Sequence, residues 1–207
     1  WFLGFVTVFL AFPEIDLWVS ALFYTPGVGF EINGLWWERI IYRSIGYIVT
    51  ILALGLIGTW LYNRRRHQQL LGLDARKLGV LIGLLILVPG LLVNLGLKEH
   101  VGRARAVNLE QFGGDARFTP AFVPSDEEGG SFSSGHAATG FWVVAVAYSL
   151  SGRFGPWAVV ALVYAVVLSL ARIASGGHFP SDVLASAFFV LMGWFVLCAL
   201  TRPRGEA

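Results

Sequence analysis

Between two apolar runs lies the stretch Leu170-Ala171-Arg172-Ile173-Ala174-Ser175-Gly176-Gly177-His178-Phe179-Pro180-Ser181-Asp182, which brings a guanidinium, an imidazole and a carboxylate close together in sequence. Pro180 suits the first turn of a helix, so Asp182 stands near a helix start with His178 just before it. A carboxylate so placed can hold the imidazole in one tautomer and leave the other ring nitrogen free to attack. A second cluster, Ser131-Phe132-Ser133-Ser134-Gly135-His136, opens directly into an apolar run. Small residues at a helix start leave backbone N–H groups for an anion, with the helix dipole behind them and His136 alongside. The same residues also suit a plain Ser N-cap followed by an interfacial His.

A third cluster is Lys98-Glu99-His100-Val101-Gly102-Arg103-Ala104-Arg105. Lys98 and Arg105 share a face if a helix runs through both. An ammonium and a forked guanidinium form a cradle for a tetrahedral oxyanion, and Arg172 adds a third charge. Arg103 is expected to reach out to lipid headgroups, so that Arg103→Ala should matter little. His67 and His100 have no assignable role. The inventory of three cations, one helix start, two histidines and one carboxylate suits phosphoryl transfer without metal. A two-metal site needs several carboxylates, and Asp182 is the only acid given a part in the site.

These residues must be held by membrane elements. Of the 207 residues 56% are hydrophobic and 14% charged, and the mean hydropathy is +0.68. That implies an all-α, polytopic membrane protein of about six spans in a single domain, residues 1–207. The net charge of +2 makes no case for nucleic acid, and no obligate protein partner or cofactor is evident. The lone Cys198 excludes an internal disulfide or a thiolate cluster and is expected to pack in a core.

Trp1 to Phe12 is apolar but gives only about 18 Å of helix against a bilayer core of about 30 Å, so it reads as part of a longer helix. The lack of an initial Met fits an N-terminus trimmed or left out. Beyond Pro13, Ile15, Trp18, Val19, Leu22 and Phe23 share one helical face with Asp16 and Ser20 elsewhere, as in a short interfacial helix. Pro26, Gly27 and Gly29 mark a turn, and Trp36, Trp37 and Tyr42 suggest an aromatic belt. Further spans are expected at Ser44–Tyr62, Leu78–Leu97 with a kink at Pro89, Ser134–Ser151, Pro156–Arg172 and Val183–Thr201. Arg64–Arg66, Arg153, Arg202 and Arg204 then fall on the cytoplasmic side, and all three clusters on the other.

The three clusters resemble the type 2 phosphatidic acid phosphatase (PAP2) superfamily of membrane lipid-phosphate phosphatases. Its pattern is Lys, six residues, Arg-Pro; then Pro-Ser-Gly-His; then Ser-Arg, five residues, His, three residues, Asp. The chain has Lys98 and Arg105, then Ser134-Gly135-His136, then Arg172, His178 and Asp182, with Ala106, Ser133 and Ala171 replacing Pro, Pro and Ser. The resemblance implies that His178 is the nucleophile that becomes a phosphohistidine, with Asp182 orienting it. It implies that His136 protonates the departing alkoxide and later activates water. Lys98, Arg105, Ser134, Gly135 and Arg172 would hold the phosphate oxygens. The expected function is hydrolysis of a phosphate or diphosphate on a membrane lipid, at the outer face of a bacterial cytoplasmic membrane. Candidate substrates are lipid A, undecaprenyl diphosphate, phosphatidylglycerol phosphate and phosphatidic acid. Alternatives are a phosphotransferase to a second lipid, or a non-catalytic lipid-phosphate binder or transporter.

Overall fold

The computed structural model describes residues 2–202; Trp1 and Arg204 lie outside them. The described chain is mostly helical: α1 (Phe2–Ala11), α2 (Glu14–Ala21), α3 (Trp36–Arg66), α4 (Ala75–His100), α5 (Gly135–Ser151), α6 (Pro156–Ala174) and α7 (Pro180–Leu200). The expected turn near Gly27 is a hairpin of β1 (Tyr24–Thr25) and β2 (Gly29–Phe30), with Tyr24 opposite Phe30. Among the described residues, α3, α4, α6 and α7 are long and apolar enough to cross a membrane; α1 and α2, bent by 78° to each other, together make a fifth candidate.

Local chemistry fixes where these helices start and stop. Asp74 caps α4 by accepting from the Lys77 N–H at 2.7 Å, and Ser134 caps α5 by accepting from the Ala137 N–H at 3.3 Å. Pro156 and Pro180 stand in the first turns of α6 and α7, where a missing N–H costs nothing. Arg64, Arg65 and Arg66 occupy the last turn of α3, at the negative end of its dipole. Pro89 does not simply kink α4. It sits in π-helical turns spanning Ile86–Leu97, where the Asn94 side-chain amide donates to the Pro89 carbonyl at 2.7 Å.

The bundle has two chemically distinct ends. At one, Arg76 at the start of α4 donates to the Cys198 carbonyl and the Thr201 hydroxyl at the end of α7. At the other, α3, α5 and α7 begin and α4 and α6 end, and all three sequence clusters meet there. Small residues let α5 and α6 approach closely: a Cβ on Gly140 would stand 3.3 Å from the Cα of Ala165. Trp142 is fully buried among Leu81, Leu84, Val88 and Val190, and its indole N–H donates to the Leu81 carbonyl at 2.8 Å.

The N-terminal segment is pinned to this end by aromatic stacking. Phe5 of α1 lies 5.1 Å from Phe188 of α7 and 5.8 Å from Phe122, whose ring is 4.8 Å from Phe132. The following helix, α2, then turns its polar side inward: Asp16 and Ser20 are buried, while Trp18 and Leu22 are exposed. Truncating the buried indole in Trp142→Ala should destabilise the fold by about 3–5 kcal/mol. Trp157→Ala, at a ring that is 75% exposed, should change little. Thermal unfolding of the purified variants in detergent checks this, with a clearly lower midpoint expected for Trp142→Ala alone.

Candidate active site

His178 sits in the turn between α6 and α7, and only 2% of its surface is exposed. Its Nδ1 lies 2.8 Å from the Ser131 carbonyl, which can only accept, so Nδ1 carries the proton and Nε2 is left with its lone pair. Burial holds the ring below its usual pKa although Asp182 pulls the other way, which keeps the imidazole neutral and nucleophilic at pH 7.

Asp182 stands farther from the ring than expected, with Oδ2 at 3.6 Å from Nδ1. The direct orienter is the Ser131 backbone; Asp182 holds Ser131 by accepting from its hydroxyl at 2.6 Å and accepts from the Phe179 N–H at 2.8 Å. Its other oxygen takes Nη1 of Arg103 at 2.5 Å. The expectation that Arg103 reaches lipid headgroups is therefore wrong. The side chain is buried, and its Nη2 donates to Asp16 at 2.8 Å, its Nε to the Thr119 carbonyl at 2.9 Å and its Nη1 also to the Ser181 hydroxyl at 2.9 Å. The Phe179 ring lies 4.3 Å from its guanidinium carbon.

The cation cradle is assembled differently from a single helical face. α4 ends at His100, Gly102 adopts φ +67° where a Cβ would collide with the Ser125 carbonyl, and Arg105 is extended. Lys98, Arg105 and Arg172 nevertheless lie within electrostatic reach of His136. A Cβ on Gly135 would meet Asn94 Oδ1 at 2.5 Å and Lys98 Nζ at 3.1 Å, so the π-helical segment delivers both groups to the start of α5. The Ser134 hydroxyl is occupied as the cap, and its carbonyl accepts from Ser186 at 2.9 Å. The free N–H groups of that first turn remain available to an anion. The Ser133 hydroxyl and Arg172 Nε are buried without a partner among the described residues, two donors consistent with anion binding.

Sequence reasoning missed four groups here. Glu38 accepts from Arg172 Nη1 at 3.0 Å in a largely buried ion pair, and Asp16 lies against Arg103, so Asp182 is not the only acid of the cluster. Tyr42, expected only as part of an aromatic belt, also borders the site: its ring lies 4.1 Å from that of His136, and the Arg172 guanidinium carbon lies 4.8 Å from it. Ser131, which opens the second cluster, meets His178 through its backbone carbonyl, a contact that no side-chain pattern signals. Among the described residues, no three His, Cys, Asp or Glu side chains are grouped to hold a metal ion.

The neighbouring surface is apolar. A cavity of about 600 Å³ runs between α3 and α4, lined by Ile45, Val49, Ile86 and Leu91 and ending at Lys98 and His136.

Residues 74–205 match the PAP2 superfamily over the whole of this arrangement except Asp16, Glu38 and Tyr42. The chain belongs to that superfamily. Among its PAP2 relatives, the lipid A 4'-phosphatase of Francisella tularensis subsp. novicida is 34% identical across 96% of this chain and 91% of its own length. The lipid A 4'-phosphatase of Rhizobium leguminosarum is 29% identical across 96% and 92%. A lipid A 1-phosphatase of Rhizobium etli is 36% identical, over 58% of this chain and 48% of its own length. No solved structure matches the chain. By this membership and these relatives the protein is a membrane phosphatase.

Gly177 gives the geometry a direct check. A Cβ there would collide with Arg172 Nη2 and stand 2.8 Å from its Cζ. Gly177→Ala should therefore displace the guanidinium and lower kcat/KM on p-nitrophenyl phosphate by about tenfold to a hundredfold, the worth of a charge-assisted hydrogen bond or two. The thermal midpoint should stay near that of the parent, and unchanged kinetics would contradict the placement of Arg172.

Proposed function

We propose that the protein removes a phosphate from a membrane lipid through a phosphohistidine on His178, and that lipid A bearing a 4'-phosphate is its substrate. The observation that carries this reading is the neutral, buried His178, its Nε2 free, in a group of three cations that borders an apolar cavity of about 600 Å³. The relatives named lipid A 4'-phosphatase, which match 96% of this chain, support lipid A among the lipid phosphates the sequence allows.

In this reading the phosphate rests on Lys98, Arg105, Arg172 and the N–H groups at the start of α5. Nε2 of His178 attacks phosphorus, the bond from phosphorus to the sugar oxygen breaks, and His136 gives that oxygen its proton. The bound phosphate brings the negative charge that a protonated His136 needs beside three cations. His136 then takes a proton from water as the water attacks the phosphohistidine, releasing inorganic phosphate and restoring both rings. Fixed charges aimed at the transferring group supply most of the rate.

The proposed setting is the periplasmic face of the inner membrane. Arg64–Arg66, Arg153 and Arg202 stand at the far end of the bundle, as cytoplasmic ends do. Six crossings in one domain follow if the 17-residue α5 spans and the bent segment of α1 and α2 supplies the first, with α2 lying in the interface.

The test is phosphate release from purified lipid A, undecaprenyl diphosphate, phosphatidylglycerol phosphate and phosphatidic acid, with histidine variants measured alongside. Lipid A should be the fastest substrate, with free inorganic phosphate as product; no release from any lipid would contradict the reading. His178→Gln should abolish hydrolysis of both lipid A and p-nitrophenyl phosphate. His136→Gln should impair the lipid far more than the aryl ester, whose leaving group needs no proton. The reverse pattern would exchange the two roles.

A further inference from the structure

The arrangement around Arg103 goes beyond the phosphate cradle. Two carboxylates, Asp16 and Asp182, grip one guanidinium in a fully buried cluster. Asp16 faces only donors: the Ser181 N–H at 3.0 Å, the Ser181 hydroxyl at 2.5 Å and Arg103 Nη2 at 2.8 Å. Asp182 likewise faces Arg103 Nη1, the Ser131 hydroxyl and the Phe179 N–H. Burial pushes the Asp16 carboxyl up from its ordinary pKa, but the Arg103 guanidinium and the Ser181 N–H can only donate, and with one on each oxygen they hold it as a carboxylate, as Arg103 and the Phe179 N–H hold Asp182. Two such groups on one cation leave one uncompensated negative charge, and His178 is the ring beside it.

We propose that Asp16 and Arg103 are positioning residues of the reaction, acting on His178 through Asp182 and Ser131. The proposal rests on the reading of His178 as nucleophile. The path is continuous: Asp16 to Arg103, Arg103 to Asp182, Asp182 to the Ser131 hydroxyl, and the Ser131 carbonyl to His178 Nδ1 at 2.8 Å. The backbone adds a second link, because the Ser131 N–H donates to the Arg103 carbonyl at 3.0 Å. When Nε2 bonds to phosphorus, the ring becomes a cation with its proton still on Nδ1. Asp182 paired with Arg103 alone would form a neutral couple and offer that cation little. Asp16 supplies the second negative charge and also fixes which way the fork points. It comes from α2, outside residues 74–205, so the N-terminal helix completes the electrostatics of a site whose reacting groups lie elsewhere in the chain.

Kinetics of the full-length protein in detergent with p-nitrophenyl phosphate test this. Asp16→Asn keeps the size of the side chain and removes its charge. It should lower kcat by about tenfold to a hundredfold, while KM and the inhibition constant of inorganic phosphate, set by the separate cradle, stay within about twofold. In an Asp182→Asn background the same change should cost less than about threefold, because its path to His178 is already cut. Ser181→Ala, which removes the hydroxyl bridging Asp16 and Arg103, should show the same kcat-selective loss in milder form and serves if Asp16→Asn fails to fold. Parent-like kcat in a folded variant, a loss seen in KM, or equal factors in both backgrounds would overturn the proposal. An active His178→Gln would overturn the nucleophile reading instead, whatever Asp16→Asn does.

Discussion

A guanidinium enclosed by protein cannot stand without partners, since removing one side of a buried ion pair costs about 3–5 kcal/mol. Arg103 meets that demand with Asp16 on one side, Asp182 on the other and the Thr119 carbonyl at its Nε. Each partner comes from a different part of the chain: α2, the start of α7 and the long loop after α4. Satisfying one side chain therefore docks the N-terminal segment, closes the loop over the site and fixes the helix start that carries Asp182. The phenylalanine stack of α1 on α7 holds the same segment by apolar contact. The end of the bundle that carries the candidate site is thus built around a cation that never faces solvent.

A second ion pair performs a related task in the cradle. Glu38 holds one arm of Arg172, and Gly177 leaves room for the other. A long cationic side chain, free to rotate in water, is fixed before any phosphate arrives, so less of the binding energy goes into ordering it. Tyr42 contributes by lying against both Arg172 and His136. In the proposed reading, the phosphate end of a lipid meets this rigid polar surface and its chains the apolar cavity beside it.

Four of the expected spans and the three clusters were legible in the sequence because hydropathy and helix-start chemistry are local. The positions of Lys98, His136, Arg172 and His178 at one end of the bundle follow from counting crossings. Arg103, Asp16 and Glu38 were not legible. A charged residue at the edge of an apolar run has the same local context whether it reaches lipid headgroups or an ion pair, and their partners lie 79 to 134 positions away. Asp16 was further disguised by periodicity. The apolar face of α2 is easy to find, but in a membrane that face can turn outward while the polar one turns in, as Trp18 and Ser20 do. The shared face expected of Lys98 and Arg105 failed for a plainer reason: Gly102 breaks the helix between them.

Nucleophilic catalysis by His178 requires a covalent bond between phosphorus and its Nε2. Rapid mixing of the purified protein with lipid A radiolabelled in its 4'-phosphate, quenched in alkali within the first turnover, would trap that bond if it forms. An acid-labile, alkali-stable label is expected on the peptide that carries His178, appearing before inorganic phosphate and decaying as phosphate is released. Label on the peptide carrying His136, or full release of phosphate with no labelled protein at any time, would contradict it.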